Sequence, residues 1–170
     1  MKKSSWIVLA ACAVLSCLLG FIFVQSRKAP PEMTTERFTS MLDAMKHAVE
    51  TKSVTKLMTY VDSGSDTKVS SLNHDQLRLL LSRAFNQSEQ FVAEYSNVSV
   101  RPGADESVAE FNLRVSQRLK EGLAEDYHGH ITLTLKLEDV PHLLGIYHTR
   151  EWTIVRGVTD GPDLAGYGDY

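Results

Sequence analysis

The sequence predicts an α+β domain in which three N-terminal helices pack on a curved four-stranded antiparallel sheet. Apolar side chains recur at helical spacing in residues 34–86, whereas residues 91–158 alternate between apolar and polar with a period of two. Segregation of helices from strands is typical of α+β domains, because alternating units would give a parallel sheet instead. An uncharged apolar stretch at 6–24 predicts one transmembrane helix before this domain.

The apolar stretch is the first element of the chain, and basic residues flank it on both sides. A helix over 6–24 would reach about 28 Å, close to the thickness of the hydrocarbon layer. We therefore expect residues 1–28 to be an uncleaved anchor in the cell membrane. Long domains after a first apolar segment translocate largely regardless of charge, which predicts an extracytoplasmic domain. A cleaved secretory signal and lipidation at Cys12 remain open alternatives.

Three further segments follow the anchor: a stiff, proline-containing linker at 29–33, one domain at 34–161 and a flexible glycine-rich tail at 162–170. All 21 acidic residues lie beyond residue 28, together with 14 of the 18 lysines and arginines. This excess of negative charge argues against a nucleic-acid partner. Both cysteines lie in the anchor, so the domain has no disulfide or thiolate metal site, and we expect no cofactor.

The helices are predicted from caps and apolar stripes. Thr34 or Thr35 can cap the first helix, Ser53 starts a shorter second helix that runs to Val61, and the third helix begins near Asn73 and ends around residues 86–88. The Met and Leu stripes of these helices indicate core faces rather than a ligand groove.

Four strands are predicted at 91–100, 107–119, 127–138 and 146–158, with a turn at 101–105. Pro141 lacks the N–H that a strand ladder needs, so we expect a loop at 139–145. Alternation places one set of side chains inward, facing the helices: Ala109, Phe111, Leu113, Val115, Ile131, Leu133, Leu135, Trp152 and Ile154.

This layout resembles the nuclear transport factor 2-like superfamily, the cone-shaped, cystatin-like fold shared with ketosteroid isomerases and SnoaL-type cyclases. The resemblance rests on the helix pair at 34–61, the third helix at 73–86 and the long strands after it. It includes the closing strand at 151–155, which runs into 160–162. The superfamily contains enzymes, ligand binders and assembly domains. Membrane-anchored versions, such as the inner-membrane assembly subunits of type IV secretion systems, look similar in layout.

The resemblance implies that an enzyme of this kind would hold a carboxylate or histidine inside the cone, where burial tunes its pKa. The inward positions are apolar instead, with Tyr127 at the rim, so we expect no catalytic residue. Candidate ligand-binding residues are Tyr127, Phe111, His148 and Trp152. As an alternative, Asp126, Tyr127 and His148 could converge at the cone mouth and act as acid–base groups. Asp126 is also typical of a turn, and we favour that interpretation.

The outward face carries two histidines with a spacing that can share a metal ion. His128 and His130 lie about 7 Å apart on one face of a strand, and His148 could complete a triad. No aspartate or cysteine completes the set in sequence, so we expect no metal site. The face is uncharged at its centre and is a candidate homodimer surface, formed by His130, Thr132, Thr134, Lys136, Asn112, Arg114 and Ser116.

The function expected from these features is that of a membrane-anchored, extracytoplasmic and non-catalytic binding or assembly domain. The domain would bind a protein partner of the cell envelope, a second copy of the chain or a small apolar ligand. The alternative is a small-pocket hydrolase, isomerase or cyclase that uses the groups at the cone mouth.

Overall fold

The computed structural model describes residues 32–120, 122, 124–142 and 147–160. The expected anchor at 1–28, the tail at 162–170 and residues 29–31 of the expected linker lie outside these residues. Within the described ranges, no helix combines the length and apolar character that crossing a membrane requires.

Contacts divide the chain into two compact units. The main unit contains the described residues 32–137 and 152–160. The smaller unit contains the described residues 138–142 and 147–151. In the smaller unit, Arg150 Nε lies 3.5 Å from Asp139 Oδ1, and the Thr149 hydroxyl donates to Glu151 Oε1 at 2.7 Å.

Three helices precede the long strands: α1 (Thr35–Glu50), α2 (Val54–Met58) and α3 (His74–Gln87). Thr34 caps α1, because its hydroxyl accepts from Arg37 N at 3.3 Å. Asn73 caps α3, because its side-chain oxygen Oδ1 accepts from Gln76 N at 2.9 Å. The predicted helix starts are therefore confirmed.

The second helix ends sooner than expected. Its apolar stripe runs to Val61, but α2 ends at Met58. Val61 instead forms a parallel bridge with Ile154, because the chain leaves the helix to run beside the last strand.

The sheet has five strands: β1 (Lys68–Val69), β2 (Ser88–Arg101), β3 (Glu106–Leu119), β4 (Ala124–His142) and β5 (Tyr147–Thr159). Their order is β1-β5-β4-β3-β2. The α+β class is confirmed, but the prediction of a purely antiparallel four-stranded sheet was wrong, since β1 pairs in parallel with β5. A two-residue strand is too short to show a period of two, so its pairing partner alone defines it.

Strand β4 also continues through Pro141 to His142, so the predicted loop at 139–145 begins too early. The ring of proline holds φ near a value that extended backbone accepts, and it removes only the N–H donor. The extended conformation of β4 therefore continues through Pro141.

Strand β2 contains a bulge between Ser96 and Ser99, where its register on β3 shifts. Asn97 lies within the bulge with φ +56°, a conformation that asparagine tolerates better than most residues. Bulges bend the strand that carries them and increase its twist. This bulge therefore contributes to the curvature of the sheet.

The main core cluster lies between α1 and the inward face of the sheet. Phe38 and Phe111 pack with ring centroids 5.8 Å apart. Met33, which we expected in the linker, is 1% exposed and belongs to the same cluster. The main cluster comprises Met33, Phe38, Leu42, Ala109, Phe111, Leu133, Leu135 and Ile154.

Candidate functional site

An open concavity of about 730 Å³ lies between α1 and strands β2, β3 and β4. It mixes charged, polar and apolar residues: Asp43, Lys46, Glu94, Tyr95, Ser96, Asn112, Leu113, Arg114, His128 and Gly129. All of them belong to the main unit.

The strand residues of this set are grouped around one cross-strand row. Tyr95 pairs with Leu113, and Leu113 pairs with Gly129. Their chain neighbours in the lining point to the opposite face, because successive side chains of a strand alternate. The side chains that face the concavity from the sheet are therefore those of the row, opposite Asp43 and Lys46 of α1.

Tyr95 and Asp43 are joined by a hydrogen bond within the concavity. The Tyr95 hydroxyl donates to Asp43 Oδ1 at 2.5 Å and joins β2 to α1. This hydrogen bond, followed by partial burial and the negative charge of Asp43, raises the pKa of the Tyr95 phenol. A phenol with a raised pKa keeps its proton and acts as a hydrogen-bond donor rather than as a base.

Lys46 lies one turn after Asp43 on the same helix. Its Nζ lies 3.9 Å from Glu50 Oε1, an i,i+4 pair. The lysine is therefore drawn toward the C-terminal end of α1 and away from Asp43. Among the described residues, no lysine or arginine forms an ion pair with Asp43.

Gly129 provides a gap in the inward face that the Tyr127 ring fills. A Cβ on Gly129 would overlap the Tyr127 hydroxyl oxygen and lie 2.9 Å from its Cζ. The Tyr127 hydroxyl forms a hydrogen bond with the Thr159 hydroxyl of β5. Tyr127 is thus an inward residue beside Gly129, but it is not among the residues that line the concavity.

Asp126 and Tyr127 do not form the acid–phenol pair considered from the sequence. Asp126 is a strand residue paired with Ser116, so its interpretation as a turn residue was wrong. Its carboxylate accepts from Arg114 on the outward face at 3.5 Å. The hydrogen bond from Ser116, reinforced by Arg114, lowers the pKa of Asp126.

Two other candidate residues lie in or against the core. Phe111 is 4% exposed, and Trp152 is half-buried against the main cluster. Neither is among the residues that line the concavity. The side chain of His148, the third candidate, lies outside the described part of the chain.

The two histidines considered as metal ligands lie on the outward face. His128 pairs with Arg114 and His130 with Asn112 in the β3–β4 ladder. The His130 Nδ1 lies 2.9 Å from Asn112 Oδ1. The described ranges bring together no group of three or more His, Cys, Asp or Glu side chains that could hold a metal ion.

Sequence reasoning missed Tyr95 and Asp43. Tyr95 has the same inward parity as Phe91 and Ala93, and a tyrosine on an inward face needs a partner for its hydroxyl. That signal was present in the sequence. The partner was not identifiable, because Asp43 lies 52 residues earlier in the chain.

No protein-family model matches the sequence, and no curated protein sequence matches it either. Solved structures match by fold. The nuclear transport factor 2-like superfamily protein from Salmonella enterica serovar Typhimurium has a TM-score of 0.62 at 12% identity, over 80% of this chain and 96% of that chain. The LinA-type3 hexachlorocyclohexane dehydrochlorinase from Novosphingobium barchaimii has a TM-score of 0.54 at 12% identity, over 76% of this chain and 88% of that chain.

A third similar structure is Bd1075 from Bdellovibrio bacteriovorus, with a TM-score of 0.58 and 12% identity over 75% of this chain. The match covers 41% of Bd1075, so this chain spans less than half of that protein. These neighbours include an enzyme, so the fold by itself does not exclude catalysis. Helices before long strands, a curved mixed sheet and these structural matches together show that the chain has the nuclear transport factor 2-like fold.

Proposed function

We propose that this chain is a non-catalytic binding domain whose concavity receives a small ligand with an apolar part. One observation carries the proposal: where the structure describes a side chain, every titratable one is at least partly exposed. The buried polar side chains are the neutral Thr67, Ser88, Ser107 and Thr153. Acid–base enzymes tune the pKa of a catalytic group by burial and neighbouring charges, and the described core contains no such group.

The chemistry of the concavity supports binding as well. The Tyr95 hydroxyl already donates a hydrogen bond to Asp43, and the pKa of Tyr95 is raised. The same row of the sheet provides the apolar side chain of Leu113. A hydrogen-bonded phenol beside an apolar side chain is suited to orienting a bound molecule rather than to removing a proton from it.

A small-pocket enzyme is the second candidate function. The fold similarity to a dehydrochlorinase and the carboxylate–phenol pair within the concavity favour it. In this reading the acid–base groups are Asp43 and Tyr95. Asp126 and Tyr127 point to opposite faces of β4 and therefore do not act together.

The location and the protein partner are also parts of the proposal. We propose that residues 6–24 hold the domain at the cell membrane, on the extracytoplasmic side, because this stretch is apolar and uncharged. We further propose that the outward sheet face contacts a second copy or an envelope protein. In the central row of this face, Ser96 pairs with Asn112, and Asn112 pairs with His130. This row contains no carboxylate, lysine or arginine.

The binding proposal is tested with the full-length protein purified from membranes in a mild detergent. Native mass spectrometry should show a bound small molecule, and that molecule should be recovered unchanged after prolonged incubation with the protein. Leu113→Trp should remove it by filling the concavity. Val92→Trp is the matched control, because Val92 is exposed on the other face of β2.

Two outcomes contradict the proposal. Conversion of the recovered molecule at a rate proportional to protein concentration would favour the enzyme. Equal ligand occupancy in both tryptophan variants, with both proteins folded by circular dichroism, would place the ligand outside the concavity.

A further inference from the structure

We propose that the ligand of the concavity carries a protonated amine, which binds at Asp43 and Tyr95 while its apolar body lies over Leu113. This inference rests on the proposed binding function and adds the chemical class of the ligand. It follows from the charges, the hydrogen bond and the apolar surface that the concavity combines.

Asp43 presents a carboxylate to the concavity. Its Oδ1 accepts from the Tyr95 hydroxyl, and no described lysine or arginine neutralises it through an ion pair. The second carboxylate oxygen of Asp43 therefore has acceptor capacity for a further donor. The same hydrogen bond, then partial burial and the charge of Asp43, raise the pKa of Tyr95, so the phenol remains a donor.

Lys46 is the cation on α1 that could compete for Asp43. Lys46 is also a lining residue, and an i,i+3 neighbour of Asp43 could reach its carboxylate. Its ammonium instead lies 3.9 Å from Glu50. Glu50 thus offsets the charge of Lys46 and leaves Asp43 available to an external cation.

The surface beside the carboxylate combines an aromatic ring with an aliphatic side chain. Tyr95 presents an aromatic ring, whose face attracts cations, and Leu113 adds an aliphatic side chain in the same row. Gly129 contributes no side chain to the row, and the nearby Tyr127 hydroxyl is hydrogen-bonded to the Thr159 hydroxyl. A ligand with an ammonium group at one end and an apolar body at the other matches this arrangement.

The test compares three probes of equal chain length: hexylammonium, hexanoate and hexan-1-ol. Each is titrated into the full-length protein in detergent, and binding is followed by isothermal titration calorimetry at neutral pH. We expect saturable binding of hexylammonium, and a dissociation constant about tenfold higher for hexanoate and hexan-1-ol, as the loss of one charge-assisted contact predicts.

Variants locate the effect at the carboxylate. Asp43→Asn keeps an acceptor for Tyr95 but removes the charge, and should weaken hexylammonium binding about tenfold. Glu50→Gln should also weaken it, because Lys46 is then released toward Asp43. Glu36→Gln is the matched control, since it removes an exposed charge of α1 that does not line the concavity, and it should bind as the wild type does.

Each result decides the inference. Equal affinity for hexanoate or hexan-1-ol, or unchanged hexylammonium binding in Asp43→Asn, would overturn the amine while leaving ligand binding in the concavity intact. Absence of saturable hexylammonium binding would overturn it as well. The binding function itself is decided by the ligand that copurifies and by its loss in Leu113→Trp.

Discussion

The phenol of Tyr127 lies over the Cα of Gly129, two residues along the same strand, and reaches Thr159 on β5. An aromatic side chain that covers a strand glycine protects the backbone from water and restores the packing that the glycine lacks. The two residues therefore form one packing unit on the inward face of the sheet.

Gly129→Ala tests this unit. The new Cβ would overlap the Tyr127 oxygen and lie 3.0 Å from Thr159 Oγ1, so we expect a loss of about 1–3 kcal/mol in the free energy of unfolding. Urea denaturation measures it. In a Tyr127→Val background the same substitution should cost much less, because the clash is removed. Equal costs in both backgrounds would show that the ring does not restrict this position.

Trp152→Ala tests the inward face of β5. Trp152 packs against the main core cluster but is only half-buried, so we expect a loss of about 3 kcal/mol, at the low end for a tryptophan. Val158→Ala on the same strand is the control, because Val158 is 52% exposed and its truncation should cost about 0.5 kcal/mol or less. Similar melting temperatures for Trp152→Ala and the wild type would contradict the face assignment.

Deletion of residues 1–28 tests the proposed anchor. All described core residues lie at Met33 or later, so the shortened chain should remain soluble without detergent and fold cooperatively. Circular dichroism and thermal melting measure this result, with the full-length protein in detergent as the reference. An insoluble or unfolded fragment would mean that the deleted segment belongs to the folded unit.

Tyr95→Phe tests the hydrogen bond to Asp43 through its pH dependence. The pKa of Tyr95 is raised in the folded state, so the unfolded chain loses the phenol proton first. The stability that the bond contributes is therefore fully present below about pH 10 and is lost as the pH rises toward the folded pKa. The difference in unfolding free energy between wild type and Tyr95→Phe should shrink over that range. A difference that does not vary with pH would exclude the linkage.

Ser71→Gly tests the short turn after β1. Ser70 and Ser71 have φ values of +48° and +66°, and Val69 and Leu72 exchange both backbone hydrogen bonds around them. Positive φ at both central positions defines a type I′ turn, which favours glycine at the second one. We expect a gain of about 0.5–1 kcal/mol in unfolding free energy. Ser65→Gly, where φ is not positive, should not stabilise, and equal effects would contradict the strain at Ser71.

The sequence by itself determined the elements whose signals are local. Thr34 and Asn73 cap their helices through side chains that bond within one turn. The alternation in β3 and β4 predicted which residues face the core, and Phe111 and Leu135 are buried as expected. These features depend on neighbours three or fewer residues away, so the residue order contains the information.

Tertiary structure alone decided the features that join distant segments. The parallel pairing of β1 with β5 follows from the path of residues 61–69, not from a two-residue pattern. The hydrogen bond between Tyr95 and Asp43 spans 52 positions. It forms only because α1 packs across β2 with one particular register of side chains. The candidate site therefore arises from the packing of helix on sheet, which local periodicity does not specify.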